Sequence, residues 1–233
     1  MSGQGREHRS EERTEERNAP RERTDDGGPR VTSTADPART RRGRPGHSLD
    51  SLLDIAVAVF NERGYDATSM DELATRLGVT KSAIYHHVAS KVELLRLALD
   101  RALDALFAVT EEPGATSGPA IDRLEHVVRG SVRVLTEQLP FVTLLLRVRG
   151  NSPVEEAALA RRREFDRIVT DLVRAAEEEG DVRPDVDPAV TSRLLFGTVN
   201  SLTEWYRPDG GLSADDLADA LVATTFQGLR ARS

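Results

Sequence analysis

Residues 69–88 read SMDELATRLGVTKSAIYHHV, and the reading of this stretch decides the fold. Ser69-Met-Asp-Glu72 has the spacing of a capping box: the serine hydroxyl takes the Glu72 amide, and the glutamate reaches back. Leu73, Ala74 and Leu77 share one face of the helix that follows, and Gly78 ends it. Thr80 then caps a second helix, from Lys81 to about Val88. Two short helices joined by a glycine turn make a helix-turn-helix. The first braces, and the second presents polar residues to a groove. Ala83 and Ile84 are expected to face the core. Thr80, Lys81, Ser82, Tyr85, His86 and His87 remain to face outward, and all can donate hydrogen bonds. The plain alternative is a helical hairpin with a solvated face. Against it, an outward face of hydroxyl, aromatic, His and Lys residues with no acid is unusual for mere solubility.

The pattern extends on both sides. Upstream, Leu49, Leu52, Leu53, Ala56, Val59 and Phe60 mark one helical face from Ser48, with Gly64 as its stop. Downstream, Ser90-Lys-Val-Glu93 is a second capping box. It opens a long helix through Leu94, Leu97, Ala98, Arg101 and Leu106. Pro113, Gly114, Gly118 and Pro119 break the pattern, and the domain junction is placed nearby. Helices are then expected over 119–138, 141–148, 153–179, 187–206 and 213–229. On the fourth of these Val190, Leu194, Val199, Leu202 and Trp205 are read as the apolar set. Ser213-Ala-Asp-Asp216 starts the last as a capping-box variant. No sustained period-2 alternation and no internal repeat is present. The fold class is all-α: a three-helix helix-turn-helix domain over 48–95 and a helical domain over 96–230.

Composition agrees. The 233 residues are 38% hydrophobic and 30% charged, with 4% aromatic, which favours solvated helices over β-sandwiches. With no cysteine, disulfide frameworks, thiolate zinc sites and thiol nucleophiles are excluded. No apolar run approaches the roughly 18 residues of a membrane span, and the charged N-terminus has no hydrophobic signal core. A soluble, cytoplasmic protein is expected. Residues 1–40 are rich in Arg, Glu, Asp, Ser, Thr, Gly and Pro and almost free of apolar side chains, so they are expected to be a disordered tail.

Charge is uneven. The net −7 divides into −1 over 1–40, 0 over 41–107 and −6 over 108–233. The segment carrying the helix-turn-helix is thus not acidic, and it holds both lysines, Lys81 and Lys91. Lys91 opens a helix, where its charge adds to the free amide donors. Immediately upstream, Arg41-Arg-Gly-Arg-Pro45 is similar to an AT-hook: Gly lets the backbone lie deep in a narrow groove, and Pro keeps it extended. Residues 41–47 are read as a basic arm, with Arg42 and Arg44 reaching a minor groove. A plain solvated linker is the alternative.

The stretch LLDIAVAVFNERGYDATSMDELATRLGVTKSAIYHHVASKVELL, Leu52 to Leu95, resembles the TetR family of one-component repressors. The Phe-x-x-x-Gly-Tyr-x-x-Thr-Ser spacing, the Leu-Ala-x-x-Leu-Gly-Val-Thr-Lys-x-x-Ile-Tyr run and the Ser-Lys opening carry the likeness. Val88 departs from it, standing where the family usually has Phe. The resemblance implies a dimer in which the helical C-terminal domain binds ligand and its last two helices join the copies. It implies double-stranded operator DNA as partner, with Thr80, Lys81, Ser82, Tyr85 and His86 contacting it and Lys91 on phosphate. Ser69, at the start of the first helix of the motif, joins the DNA-binding set.

Catalytic signals are poor. The five histidines are scattered, and no Gly-rich phosphate loop, His-Glu-x-x-His or Gly-x-Ser-x-Gly occurs. No enzyme activity, metal or resident cofactor is expected. His126, alone, is read as a partly buried core residue. In the C-terminal half Arg147, Arg149, Arg161, Arg162 and Arg163 cluster around a Gly150-Asn-Ser-Pro153 break. They form either a solvated face paired with Glu155, Glu156, Glu164 and Asp166, or an anion site suited to guanidinium forks. Asn200-Ser-Leu-Thr-Glu-Trp205 is similar to the last-but-one helix of TetR-family regulators of acyl-CoA, steroid and aromatic-acid catabolism. Their ligands are often coenzyme A thioesters, and that resemblance implies such an effector here. Trp205 is equally open to an interface or core role. Candidate ligand residues are Phe141, Leu145, Arg147, Arg149, Arg162, Asp166, Asn200, Glu204 and Trp205, with Leu144, Val148, Leu195 and Phe196 as further apolar walls. The expected function is a ligand-released repressor of catabolic genes that binds a palindromic operator as a dimer. An activator of the same family, or a helical adaptor using the hairpin for protein contacts, are the alternatives.

Overall fold

Ten helices account for the regular structure of residues 48–229, the part described by this computed structural model. The tail 1–40 and the arm 41–47, with Arg42 and Arg44, lie outside the described residues. Side-chain caps decide where most helices begin. Ser48 accepts from the Ser51 amide at the start of α1, Leu49–Arg63. Ser69 and Thr80 do the same for α2, Met70–Leu77, and α3, Lys81–Tyr85. Ser90 caps α4, Lys91–Glu111, while Ser152 and Asp187 cap α8, Pro153–Glu178, and α9, Pro188–Trp205. Each acceptor replaces one backbone partner that a helix start lacks.

The glutamates of the two N-terminal capping boxes do not reach back as expected. Glu72 instead pairs with Arg63 of α1 at 2.8 Å, a cation outcompeting a neutral amide. Glu93 accepts from the Ala89 amide at 2.6 Å, one residue further out than the box requires. Only Ser213 and Asp216 close in both directions, ahead of α10, Ala214–Leu229. The helix α3 also ends at Tyr85, earlier than expected, although Val88 stays buried.

Pro113-Gly114, read as a break, forms a short helix instead: α5, Pro113–Thr116. Proline suits a first helical turn. At Gly114 a Cβ would overlap the His126 ring, so glycine permits that approach. His126 belongs to α6, Ala120–Glu137, and is partly buried with its Nε2 2.6 Å from Glu112. After α6 comes α7, Leu139–Arg147.

One helix crosses from the helix-turn-helix to the rest. The expected boundary at 95/96 falls inside α4, which packs on α1 and on α6, α7 and α8. Behind it, α6 packs against α8, α9 and α10. Phe107 of α4, Phe165 of α8 and Phe196 of α9 meet edge to face in series, with centroids 6.0 and 5.2 Å apart.

On α9 the expected apolar set divides. Val199 and Leu202 are buried, together with Leu195 and Phe196, whereas Val190, Leu194 and Trp205 are 50%, 68% and 52% exposed. The helix therefore carries two apolar faces, and only one is used within the chain.

Glu155 was expected among partners for arginine side chains. It is buried instead, and its Oε2 accepts the backbone N–H groups of Arg149, Gly150 and Asn151 at 2.9, 3.0 and 3.3 Å. Burial acts to raise its pKa, but the three donors outweigh it and hold the carboxyl below its ordinary value. A depressed carboxyl stabilises the fold above the ordinary range, and that contribution fades as pH falls through the folded value. Glu155→Gln should therefore cost about 1–3 kcal/mol at pH 7. In denaturant titrations the gap to the parent should close as pH drops below about 4.3, the ordinary Glu value. A gap that persists unchanged at low pH would show that the ionised carboxylate is not what holds this loop.

Candidate nucleic-acid interface and effector cavity

The helix-turn-helix is set by three local choices. Gly78 takes a left-handed φ of 65°, which closes the turn. Ile84, at 1% exposure, anchors α3 from beneath. The cap at Thr80 fixes the entry of α3. With Ile84 as its only buried residue, α3 leaves Lys81, Ser82, Ala83, Tyr85, His86 and His87 open to solvent. Ala83 was expected inside. The rings of His86 and His87 meet edge to face at 6.0 Å. Ser69 is exposed, and its hydroxyl accepts the Glu72 amide while keeping its own proton to donate.

Two lysines flank this surface in different ways. Lys81 Nζ lies 2.9 Å from Asp71 of α2. Its pKa is raised, first by that hydrogen bond and then by the Asp71 charge. Both groups are exposed, so the pair is weak and a phosphate can displace Asp71. Lys91 is turned inward: its Nζ donates to the Tyr65 and Thr68 carbonyls at 2.9 and 2.8 Å and sits 4.3 Å from the Tyr65 ring centroid. One ammonium N–H is left for a phosphate. Its first effect is to tie the start of α4 beneath the α1–α2 turn.

The second site lies where α4, α6, α7, α8 and α9 converge. Leu103, Leu106, Leu135, Val142, Leu145, Phe165, Phe196 and Val199 line a cavity of about 50 Å³, with Ser131, Arg162, Asp166 and Asn200 as polar members. Of the nine candidate ligand residues, this cavity gathers Leu145, Arg162, Asp166 and Asn200. The other five lie elsewhere. Phe141 packs in the core under the Arg101 guanidinium, 4.4 Å from its ring centroid. Arg147 spans to α1 and donates to the Asn61 carbonyl at 2.7 Å. Arg149 bonds the Leu146 carbonyl at 3.2 Å, beside its own turn. Glu204 and Trp205 are exposed on α9. Of the further walls, Leu144, Val148 and Leu195 are core residues outside the lining.

The three consecutive arginines part company because a helix turns 100° per residue. Arg161 pairs with Asp100 and Asp104 of α4, at 3.1 and 2.6 Å. Arg162 enters the cavity, and Arg163 faces a separate groove. Burial lowers the Arg162 pKa, with Asp166 opposing and Arg149 adding to the fall. Asp166 sits at the rim. Burial raises its pKa against the pull of Arg162 and Arg193. Among the described residues no carboxylate lies within 4.0 Å of the Arg162 guanidinium, which donates to the Leu145 carbonyl at 3.4 Å and keeps its other donors for whatever enters.

Sequence reading missed Asn61. Its side-chain amide donates to the Pro140 carbonyl at 2.8 Å while its own carbonyl accepts from Arg147, so α1 and α7 are clasped at two points. Nothing local marks this half-buried asparagine as a bridge across 79 residues. Arg101 was equally silent: it brings Asp50 and Asp54 of α1, at 3.7 and 3.8 Å, together with Phe141 of α7.

Among the described residues no cluster of His, Asp and Glu is placed to hold a metal ion, and no helix is long and apolar enough to cross a membrane.

Comparison with known proteins follows the same two parts. Residues 52–98 match the family profile described as bacterial regulatory proteins, tetR family, and residues 117–229 match a Tetracyclin repressor-like C-terminal domain. A member of the TetR transcriptional regulator family from Streptomyces coelicolor A3 superposes with a TM-score of 0.73 at 50% identity, over 83% of this chain and 98% of that one. The transcriptional repressor KstR2 of Mycobacterium tuberculosis is 28% identical over 181 residues, covering 76% of this chain and 90% of the relative. The structure of that ketosteroid regulator superposes with a TM-score of 0.74 over 82% of this chain and 98% of its own. AibR, solved in complex with isovaleryl coenzyme A and operator DNA, gives 0.66 at 25% identity, over 76% of this chain and 97% of its own.

Tyr85→Ala and Lys81→Ala should each weaken operator binding by about 1–3 kcal/mol while leaving the fold intact. Lys81→Ala should also reduce the salt slope by about one, since one phosphate contact is lost. Gel shifts across a salt series, with circular dichroism as the folding check, measure both. Unchanged affinity in both variants would remove α3 from the groove.

Proposed function

The chain belongs to the TetR family of bacterial regulatory proteins, and on that footing we propose that it represses catabolic genes until an anionic coenzyme A thioester releases it from its operator. It is a non-enzymatic DNA-binding transcription factor whose partners are double-stranded operator DNA, a small-molecule effector and a second copy of itself. One α3 reads few base pairs, so two are needed, with half-site centres about 34–36 Å apart or a multiple of that on a roughly palindromic operator. The exposed Val190, Leu194 and Trp205 on α9 support joining the copies through α9 and α10. Contacts to DNA are assigned to Ser69, Thr80, Lys81, Ser82, Tyr85 and His86, with Lys91 on phosphate and Arg42 and Arg44 in the adjacent minor groove.

The observation that carries the effector reading is the Arg162 guanidinium set among leucine, valine and phenylalanine side chains. A wholly apolar ligand would leave that charge with only the Leu145 carbonyl at 3.4 Å and the field of Asp166, whereas a thioester or carboxylate oxygen supplies a direct partner. One relative points the same way: AibR was solved with isovaleryl coenzyme A.

Release follows from size. A cavity of about 50 Å³ has room for a few water molecules, far below the 300–1,000 Å³ typical of ligand sites. An acyl group enters only by parting the lining helices. Of these, α7 is clasped to α1 through Asn61 and Arg147, and α4 is tied to the α1–α2 turn through Lys91. Wedging the cavity therefore pulls on the DNA-reading helices by two routes. A 100-fold release needs only about 2.7 kcal/mol of differential affinity.

Titrating thioesters and their free acids against the protein–DNA complex tests this proposal. A thioester should release DNA, and Arg162→Met should respond only at concentrations tenfold higher or more. Release by neutral or cationic compounds alone would overturn it. For the arm, Arg42→Ala with Arg44→Ala should weaken binding most on AT-rich flanks, whereas deletion of 1–40 should be tolerated. Equal loss on AT-rich and GC-rich flanks would reduce the arm to general charge attraction.

A further inference from the structure

Behind the cavity, α8 and α9 enclose an open groove of about 720 Å³. Arg163, Arg167, Thr170 and Arg174 follow one another along α8 at spacings of four, three and four, so they share one face, and Arg193 stands opposite on α9. Like charges at i,i+4 repel, and a stripe of them is unfavourable unless something anionic offsets it. Within the chain little does. Arg174 is committed to Asp171 at 2.6 Å, but among the described residues no carboxylate lies within 4.0 Å of Arg163, Arg167 or Arg193. This positive surface sits in the half of the chain whose net charge is −6. Groove and cavity meet at one residue, Asp166, which lines both and is acted on by the charges of Arg162, in the cavity, and Arg193, in the groove.

We propose that this groove is a phosphate subsite, and that the effector lies across Asp166 with its apolar end in the cavity and its phosphate esters on Arg163, Arg167 and Arg193. The inference rests on the thioester reading and says where the two chemically different ends of such a molecule go. Guanidinium forks match phosphate oxygens in pairs, and three of them along a groove about 16 Å long suit an extended chain bearing more than one phosphate. Asp166, whose negative charge lies between the two sites without an ion pair to either arginine, opposes an arriving anion.

Free coenzyme A, which has the phosphates but no acyl group, is the probe. Calorimetry should show it binding the full-length protein. Arg163→Ala with Arg167→Ala should weaken binding by roughly tenfold or more for each guanidinium lost. Asp166→Asn should strengthen it, and Arg183→Ala, outside both sites, should leave it unchanged. Operator affinity without effector should stay at the parental value in the double variant and in Arg183→Ala, which shows that both are folded, and circular dichroism checks the fold of Asp166→Asn. No binding of coenzyme A to the parent, or equal binding by the double variant, overturns the subsite. A double variant that alters dimerisation but not coenzyme A binding overturns it too, and makes the groove a subunit contact. The two readings separate cleanly. If thioesters release DNA from parent and double variant at the same concentration, the effector reading stands and the groove falls. If coenzyme A binds through these arginines and no thioester releases DNA, the groove stands and the effector reading falls.

Discussion

Along α4 the side chains of Leu94, Leu95, Ala98, Leu99, Ala102 and Leu103 are each 1% exposed or less. A helix buried to that degree cannot roll or slide without opening a void on one side and a clash on the other, because interiors are packed like crystals. Its first turn is pinned by Lys91 beneath the DNA-reading helices, and its fourth and fifth turns form part of the cavity wall at Leu103 and Leu106. The arrangement of α1 to α3 and the shape of the cavity are therefore two readings of one helix position. Truncating a single buried leucine here would cost about 2–5 kcal/mol, comparable with the whole energy of a regulatory transition.

The clasp at Asn61 adds a second constraint in parallel. It is made of backbone carbonyls and two polar side chains, and its energy is that of a few hydrogen bonds, about 0.5–1.5 kcal/mol each. Bonds of that size can be exchanged during a conformational change, whereas the core of α4 cannot. On the release route proposed above, α4 would transmit displacement as a rigid body, and α7 would supply a joint weak enough to yield.

Most of the fold was legible because it depends on short-range chemistry. Ser69, Thr80, Ser90 and Ser213 cap helices as their spacing foretold, and Gly78 turns where a turn was needed. What failed was every reading that required knowing what stands opposite. Glu72 and Glu93 found partners other than their own caps. Pro113-Gly114 looked like a break, yet the His126 ring gave a short helix something to pack on. Ala83 faces solvent because α3 is too short to bury two neighbours. The arginine cluster was seen as one feature, but a turn of 100° per residue sends Arg161, Arg162 and Arg163 to three destinations. Two of the six expected apolar walls, Leu145 and Phe196, reach the cavity, whereas Phe141 is one turn away beneath Arg101. Arg167 and Arg193 were overlooked because they come together only when α8 and α9 are folded side by side.

As the effector site we propose, the cavity of about 50 Å³ would set a timescale as well as an affinity. A ligand larger than the resting space would wait for the helices to part. Capture would then stop speeding up once the ligand is abundant and run at the rate of opening, on the microsecond-to-millisecond scale of collective helix motion. Departure would need the same parting of helices. A regulator built this way would average over brief pulses of metabolite and hold its answer after the pulse has gone.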